Sequence, residues 1–326
     1  GTPLEQVQAF LDPRGWQVPL ASPWREMTVG EIVATNLNAP QRIRYGAVRD
    51  VLLCCTVALP DGRIVRAGRA VVKNVAGYDL PKAFVGSYGT LGLLTDATFK
   101  IVAKPRSKQT IVVPVDDLKL GLAWGSQLLQ VALMASAVVL TRGVAVPGVS
   151  FDFAQDGPYA LVYTAEGHEQ DVEAEMTQVR ALLQKLNAPT PRQISTTGTD
   201  LWCDLLRGAT IGSLVVRVGV APKDLADFAR NQSARLDACS YLVDIASGLV
   251  YAVASPANVN EAKAWLAPLR QAALAIGGYA IVAQLPDEWR ATIDRWGYRP
   301  DALDLMRALK ARWDPAGILE TDRFVA

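Results

Sequence analysis

The sequence predicts an α+β protein with two domains, and three observations lead to this prediction. A length of 326 residues fits about two domains. The breaker Lys104-Pro105-Arg106 separates two parts of the chain that differ in pattern. In the second part, strand and helix patterns follow one another twice in the order strand–helix–strand–strand–helix. That order predicts a duplicated α/β unit with helices over one face of its sheet.

The first part alternates short helices and strands. Residues 4–11 predict a helix, and the apolar run 51–59 predicts a strand. The turn Pro60-Asp61-Gly62 and a returning strand at 63–67 complete a hairpin. A short helix at 80–85 and a strand at 91–104 then lead to the breaker.

The second part contains a long amphipathic helix, predicted at 167–186. One face of it carries Val172, Met176, Val179, Leu182 and Leu183. The first pass comprises a strand at 109–115, a helix at 116–131, strands at 137–141 and 159–164, and this helix. After a short helix near 201–202, the second pass comprises a strand at 213–220, a helix at 222–231, strands at 241–245 and 249–253, a helix at 258–275 and a strand at 279–284. A last helix is predicted at 301–311.

The composition argues for a large core and against several partners. Half of the residues are hydrophobic and 20% are charged, so a sizeable core can be buried. The net charge of +1 gives no electrostatic reason to expect nucleic acid or an anionic membrane. The apolar run 128–140 is too short and too interrupted to span a bilayer, and no signal peptide is visible.

Cysteine and histidine usage argues against a metal or iron–sulfur site. No C-x-x-C motif occurs, so buried thiols are expected. The single histidine, His168, is expected to open a helix and face solvent, and one histidine cannot build a multi-histidine metal site. The cysteines are Cys54, Cys55, Cys203 and Cys239.

The stretch 72–95 places Gly77, Gly86, Gly89 and Gly92 among apolar residues. Glycine costs backbone entropy in such a segment, and the cost is justified where the chain turns tightly or lies close to a ligand. Two readings stay open: a site for a large, flat or phosphorylated molecule, or two tight turns of an α/β domain.

Two motifs carry a resemblance to a known family. The runs K-N-V-A-G-Y-D-L at 73–80 and V-G-S-Y-G-T-L-G at 85–92 resemble the glycolate oxidase E-subunit family. These are flavoproteins with the vanillyl-alcohol oxidase, or PCMH, type of FAD-binding fold. The strong motifs cover about 28–100, and the middle of the chain matches in layout only. Further matching positions are Gly30, Ala34-Thr35-Asn36, Arg44-Tyr45-Gly46, Arg49-Asp50, Asp61-Gly62, Lys310 and Asp314-Pro315-Ala316-Gly317.

The resemblance implies three regions and a cofactor. A PCMH-type FAD-binding domain, N-terminally incomplete, is expected at 1–105. An α/β cap with a duplicated ferredoxin-like layer follows at 106–298, and a C-terminal helix and tail at 299–326 return to the FAD domain. The cofactor implied is FAD, and the catalytic residues stay unknown. No metal is expected, because the chain has one histidine. The implied cofactor-binding residues are Thr28, Val29, Gly30, Ala34, Thr35, Asn36, Gly46, Gly86, Ser87, Gly89, Thr90 and Gly92.

The chain departs from the family pattern at several places. It begins at the family's Gly-Thr-Pro-Leu segment, after the first phosphate loop, which suggests a fragment or a processed chain. Glu31 follows Gly30 where the family has two glycines, and a carboxylate would repel a diphosphate unless it turns away. Glu320-Thr321-Asp322-Arg323 replaces Asn-Pro-Gly-Arg. Tyr279 stands where a catalytic histidine is sought after Gly277-Gly278.

A 2-hydroxy acid site needs a cation for the carboxylate and a base for the hydroxyl proton. With His168 alone, the chain is expected to be a partner subunit in a complex that oxidises glycolate to glyoxylate, beside a catalytic flavin subunit and an iron–sulfur subunit. It is expected in the cytoplasm or peripherally on the inner membrane face. The alternatives are an assembly subunit that has lost FAD, and a stand-alone flavin oxidoreductase on another 2-hydroxy acid.

Several polar residues keep two interpretations each. Arg49 and Asp50 either hold the loop after Gly46 or form a solvated pair. Tyr78 and Tyr88 either stack near the flavin or are buried tyrosines with satisfied hydroxyls. Lys73 either neutralises phosphate or lies on the surface, and Arg207 either faces a cavity between the domains or does not.

Overall fold

Three antiparallel sheets organise the protein, seen here in a computed structural model that describes residues 1–72, 78–147 and 158–319. The chain divides into two compact units. Unit one comprises Gly1–Lys104 and the segment from Arg299 onward, and unit two comprises Pro105–Tyr298.

Unit one contains a three-stranded sheet and a two-stranded sheet. The strand order of the larger sheet is β3-β2-β4, and β1 pairs with β5. Its helices are α1 (Leu4–Leu11), α2 (Val29–Thr35), α3 (Arg42–Tyr45), α4 (Val48–Val51) and α5 (Pro81–Phe84), and α12 (Leu303–Trp313) near the end of the chain. Its strands are β1 (Trp16–Gln17), β2 (Leu52–Ala58), β3 (Ile64–Gly68), β4 (Leu93–Phe99) and β5 (Val102–Ala103).

Two apolar clusters stabilise unit one. One joins α1, α2 and α4 through Leu4, Ile32 and Val48. The other lies under the three-stranded sheet, where Leu309 and Trp313 of α12 pack against it. Burial of this apolar surface is the main favourable term in its stability. The second cluster consists of Cys55, Val57, Ala67, Phe84 and Leu91.

Unit two is built on one eight-stranded sheet with the order β13-β10-β12-β11-β7-β8-β6-β9. Its strands are β6 (Ser107–Val115), β7 (Ala135–Arg142), β8 (Tyr159–Gly167), β9 (Arg192–Ile194), β10 (Leu214–Gly219), β11 (Ser240–Asp244), β12 (Leu249–Ala254) and β13 (Tyr279–Gln284). Its helices are α6 (Leu118–Leu128), α7 (Glu169–Lys185), α8 (Gly198–Arg207), α9 (Leu225–Asn231), α10 (Ser233–Leu236) and α11 (Val259–Ala275).

The predicted α+β class with a duplicated layer is confirmed. The elements β6-α6-β7-β8-α7-β9 and β10-α9-β11-β12-α11-β13 repeat one order, and each half arranges its four strands alike. The halves join where β7 pairs antiparallel with β11, in the register Tyr241 to Arg142. His168 lies at the N-cap of α7, where the sequence predicted that a helix opens.

Helices cover both faces of this sheet, not one face as predicted. An added Cβ at Gly121 of α6 would contact Leu140, and one at Gly198 of α8 would contact Val139. Because consecutive strand residues point to opposite faces, α6 and α8 lie on opposite sides of β7. Amphipathic periodicity identifies a helix but does not say which face of a sheet it covers.

Short elements account for most other differences from the prediction. The strand predicted at 91–104 is two strands, β4 and β5, which pair with different partners. The helix predicted at 222–231 begins with a separate 3₁₀ turn, Pro222–Asp224. The pattern gave no indication of α3, α4, β1 or β9, which have two to four residues each. Elements this short are set by their tertiary partners rather than by their own periodicity.

Candidate functional site

The helix α2 carries the first group of predicted cofactor residues, and its first turn is closed by its own side chains. The Thr28 Oγ1 accepts from the Glu31 N–H at 3.1 Å, and the Glu31 carboxylate accepts from the Thr28 N–H at 2.8 Å. This is a capping box, which the sequence T-V-G-E permits. Glu31 therefore folds back onto its own helix. The Val29 N–H also has a protein partner, the Thr2 carbonyl at 2.9 Å.

The C-terminal end of α2 holds the loop of residues 86–92, called here the glycine loop. The Gly86 N–H donates to the Val33 carbonyl at 2.9 Å, and the Tyr88 N–H donates to the Ala34 carbonyl at 2.8 Å. These bonds satisfy carbonyl groups that a helix end leaves without an intrahelical partner. The predicted segments 28–36 and 86–92 therefore lie together.

The glycine loop has an unusual backbone. Gly86, Tyr88 and Gly89 have φ of 78°, 53° and 77°. Left-handed φ is uncommon for a residue with a side chain, so Tyr88 holds a conformation that the surroundings must enforce. The Thr90 Oγ1 also donates to the Ser87 carbonyl at 2.6 Å across the loop.

Asn38 connects the segment after Gly46 to the C-terminal end of α2. Its Nδ2 donates to the Asn36 carbonyl at 2.9 Å and to the Asn36 Oδ1 at 2.8 Å. Its Oδ1 accepts from the Val48 N–H at 2.8 Å. Asn38 is 6% exposed. Sequence reasoning missed it, because its role appears only when two separate segments meet; a polar residue two positions after Asn36 was the available signal.

Two predicted glycines serve packing. At Gly46 an added Cβ would lie 2.9 Å from the Asp50 Cβ, and the Asp50 carboxylate accepts from the Ala47 N–H at 2.8 Å. At Gly92 an added Cβ would lie 2.4 Å from the Val57 Cγ1. Gly30 differs, since the nearest atoms to its Cβ position are 3.8 Å and 4.0 Å away.

The other candidate residues lie on the surface or outside the described ranges. Asp50 bonds within its own turn, and Arg49 is exposed. Tyr78 is 92% exposed. The exposed Arg207 guanidinium donates to Asp204 at 2.9 Å. Lys73, Asn74 and Gly77 of the first motif, and the run 320–323, lie outside the described residues.

Cys54, Cys55 and Cys203 are buried thiols, and Cys239 is half-buried. Burial, with smaller contributions from Cys54 and Asp96, raises the pKa of Cys55 to about 11. Burial likewise raises the pKa of Cys203 and Cys239 to about 12. A thiolate is needed for nucleophilic or metal chemistry, so all three are inert near neutral pH. Over the described ranges, no three His, Cys, Asp or Glu side chains form a metal-binding group.

Unit two contains an aromatic cluster at β10 and β13. The Arg217 guanidinium lies 5.8 Å from the centre of the Tyr279 ring, within cation–π range. Tyr279 lies 6.0 Å from Tyr298 and against Gly219. The position where a histidine was sought therefore holds a phenol that packs under a guanidinium.

A polar cavity of about 550 Å³ opens elsewhere in unit two. The Asp237 carboxylate at its wall accepts from Tyr159 at 3.0 Å and from Tyr241 at 3.2 Å, and it lies 3.5 Å from the Arg142 Nε. The lining includes Pro158, which adjoins the range 148–157 that the structure does not describe.

The residues around α2 offer few free donors to the diphosphate of FAD. A diphosphate is held by N–H groups or cations free to donate. The N–H groups of Thr28, Val29, Gly86 and Tyr88 donate to the protein itself. These four N–H groups are therefore not open to a diphosphate, whereas the Cβ position of Gly30 has no atom closer than 3.8 Å. The residues around α2 can thus offer backbone contact to a cofactor rather than a phosphate cradle formed by these N–H groups.

A family comparison matches the part of the chain that contains α2 but not the glycine loop. Residues 1–68 match a family described as FAD binding domain. This match lies within unit one. The fold of this domain is of the PCMH type, and FAD is the cofactor that the match and the relatives support.

The relatives are longer or are matched only in part. The chain is 24% identical to glycolate oxidase subunit GlcD of Bacillus subtilis (strain 168), over 99% of the chain and 73% of that protein. It is 41% identical to glycolate oxidase subunit GlcE of Escherichia coli (strain K12), over 34% of the chain and 32% of that protein. It is 40% identical to D-lactate dehydrogenase of Anaerostipes hadrus, over 28% of the chain and 19% of that protein.

A solved structure shares the fold. Alkyldihydroxyacetonephosphate synthase aligns with a TM-score of 0.67 at 16% identity, over 98% of this chain and 63% of that one. The chain thus spans less than two thirds of that protein. In the described ranges, no helix has the length and apolar character needed to cross a membrane.

Proposed function

We propose that this chain is the FAD-fold subunit of a heteromeric 2-hydroxy acid oxidoreductase that oxidises glycolate to glyoxylate. One observation carries the proposal: the glycine loop is docked on α2 by the Gly86 and Tyr88 N–H groups, next to a sequence match to an FAD binding domain. Relatives named as glycolate oxidase subunits support the substrate and the heteromeric complex.

The residues of this chain supply shape rather than acid–base chemistry. FAD, when bound, supplies the hydride acceptor. The backbone of α2 and the glycine loop orients that group and excludes water from one side of it. A base for the hydroxyl proton is a separate requirement. The only histidine of the chain, His168, is exposed at the N-cap of α7, so we assign the base to a partner subunit.

The proposed partners are a catalytic flavin subunit and an iron–sulfur subunit. A flavin that takes a hydride must pass electrons onward. Cys54 and Cys55 lie in β2, Cys203 lies in α8 and Cys239 precedes β11, and among the described residues no three His, Cys, Asp or Glu side chains form a group that could hold a cluster. We propose that the electron carrier lies on another subunit.

A second candidate is an assembly subunit that does not retain FAD. The capping box favours it, because the Glu31 carboxylate accepts from the Thr28 N–H and the Thr28 Oγ1 accepts from the Glu31 N–H, so neither N–H is open to a diphosphate. The two candidates predict opposite results in a cofactor-binding experiment.

The deciding experiment is titration of the purified chain with FAD, followed by dialysis and a visible absorption spectrum. A retained flavin spectrum supports the first candidate. A colourless protein after dialysis, from a sample whose circular dichroism shows a folded chain, contradicts it and supports the second.

A second assay tests the partner-subunit assignment. The FAD-loaded chain is mixed with glycolate and an artificial electron acceptor. We expect no turnover until the partner subunits are added, and turnover by the chain alone would refute the assignment.

A further inference from the structure

Lys310 of α12 has an ammonium group with no spare donor. Its Nζ donates to the Thr90 carbonyl at 2.8 Å, to the Leu319 carbonyl at 2.8 Å and to the Asp314 carboxylate. An ammonium has three N–H bonds, so all are used. The Lys310 side chain is 12% exposed. A lysine this buried with three protein acceptors is fixed in place rather than free on the surface.

Asp314 holds the turn that follows α12 over this lysine. Its Oδ1 accepts from the Ile318 N–H at 3.0 Å, and its Oδ2 accepts from the Leu319 N–H at 2.9 Å. The carboxylate is fully buried. Burial by itself would raise the pKa of Asp314, yet hydrogen bonds from Lys310, Leu319 and Ile318 lower it below its usual value. The pair is therefore charged and satisfied.

Apolar contacts bring the same helix to both sides of the glycine loop. The Trp313 ring lies 5.7 Å from the Phe84 ring, two residues before the loop. Trp313 and Leu309 also pack against the cluster that contains Leu91, inside the loop. The Lys310 bond to Thr90 is thus one of several contacts between α12 and this loop.

The geometry points to Lys310 as a positioning residue that fixes the glycine loop in the shape used for the cofactor. The loop holds Tyr88 at φ 53°, which costs free energy and persists only under outside restraint. The end of α2 restrains one side through the N–H groups of Gly86 and Tyr88. Lys310 restrains the other side through the Thr90 carbonyl, and Thr90 is 3% exposed.

This assignment rests on the proposed function only where it concerns FAD. The restraint of the glycine loop by Lys310 is present in the protein without cofactor. Hydrogen exchange of the loop amides measures the restraint, and FAD affinity measures its consequence, so the two can fail separately.

The test compares Lys310→Met with Arg307→Met, which removes an exposed cation one turn earlier on α12. Methionine keeps the apolar length and removes every donor. Loss of a charge-assisted bond to a buried carbonyl predicts amide exchange in 86–92 about tenfold faster, and an FAD dissociation constant about tenfold higher. Arg307→Met is expected to change neither quantity.

The outcomes separate the two claims. Unchanged exchange in 86–92 for Lys310→Met overturns the restraint. Faster exchange with unchanged FAD affinity overturns the cofactor role. A parent protein that binds no FAD refutes the proposed function, and exchange then decides the restraint alone.

A second variant keeps the test decisive if Lys310→Met does not fold. Asp314→Asn keeps an oxygen acceptor for the backbone and removes the charge that holds the ammonium. Its exchange in 86–92 should be raised by less than that of Lys310→Met. Exchange equal to that of the parent chain counts against the assignment.

Discussion

Two glycines predicted for the same site differ in what surrounds them, and this difference decides what each residue does. Gly92 has no room for a side chain, since its Cβ position is 2.4 Å from the Val57 Cγ1 and 3.1 Å from the Ala58 carbonyl. Gly30 has room. A glycine motif therefore mixes positions required by the fold with positions open to a ligand.

The prediction compares Gly92→Ala with Gly30→Ala. Gly92→Ala is expected to destabilise the protein by roughly 1–3 kcal/mol through overpacking. Gly30→Ala, within a helix, is expected to leave stability unchanged or raise it by up to about 1 kcal/mol, while weakening FAD binding if the backbone of α2 contacts the cofactor. Urea unfolding and FAD titration measure the two effects. Equal destabilisation by both changes would contradict the packing argument.

Asn38 gives a second prediction for a single residue. Asn38→Ala leaves the buried Val48 N–H without its acceptor and removes two bonds to Asn36. We expect a loss of roughly 2–3 kcal/mol in the free energy of unfolding. Gln6→Ala, on the exposed side of α1, serves as the control in the same unit. Urea unfolding followed by fluorescence checks both, and similar midpoints for the two variants would show that the bridge contributes little.

At the level of elements, the sequence predicted which helices and strands exist better than where they pack. The duplicated order was readable because long strands and helices have clear periods, as in the helix around Val179. The face covered by α8 was not readable, because it depends on the small residues Gly198 and Ala137 meeting across the sheet. The candidate site was predictable to the same extent. Its glycines predicted the loop, but no local sequence pattern predicted the role of Asn38 or the partners of Lys310.

The packing of α8 gives an element-scale prediction. A Cβ on Gly198 would lie 2.6 Å from the Ala137 Cβ and 3.1 Å from the Val139 Cγ2. Gly198→Ala should push α8 away from β7 and destabilise unit two by roughly 1–3 kcal/mol. Gly212→Ala is the control, because nothing lies within 4 Å of its Cβ position. The free energies of unfolding of both variants test this prediction. A Gly198→Ala variant as stable as the parent chain would mean that α8 is not closely packed against β7.

For the whole molecule, the buried carboxylate of Asp314 makes the free energy of unfolding depend on pH in the acidic range. Its folded pKa lies below its usual value, which is about 3.9 in an unfolded chain. A lowered folded pKa contributes stability that is present above the unfolded value and is lost as the pH falls through the folded value. Stability is therefore expected to fall below about pH 4.

The measurement is urea unfolding across a pH series for the parent chain, Asp314→Asn and Asp304→Asn. The difference between parent and Asp314→Asn should shrink as the pH falls through this window. Asp304 is 87% exposed and lies 3.6 Å from Arg299, so its variant should follow the parent. A difference that stays constant with pH would refute the role of the Asp314 charge.

The contact between Lys310 and Thr90 joins residues 220 positions apart in the chain. During synthesis, the glycine loop leaves the ribosome long before α12 is made, and all of unit two is made in between. The contacts of Leu309 and Trp313 with the apolar cluster around Phe84 can therefore form only after every strand of the unit-two sheet has been synthesised. Unit two can therefore fold before unit one is complete, and we expect the nascent first unit to expose apolar surface to aggregation during that interval.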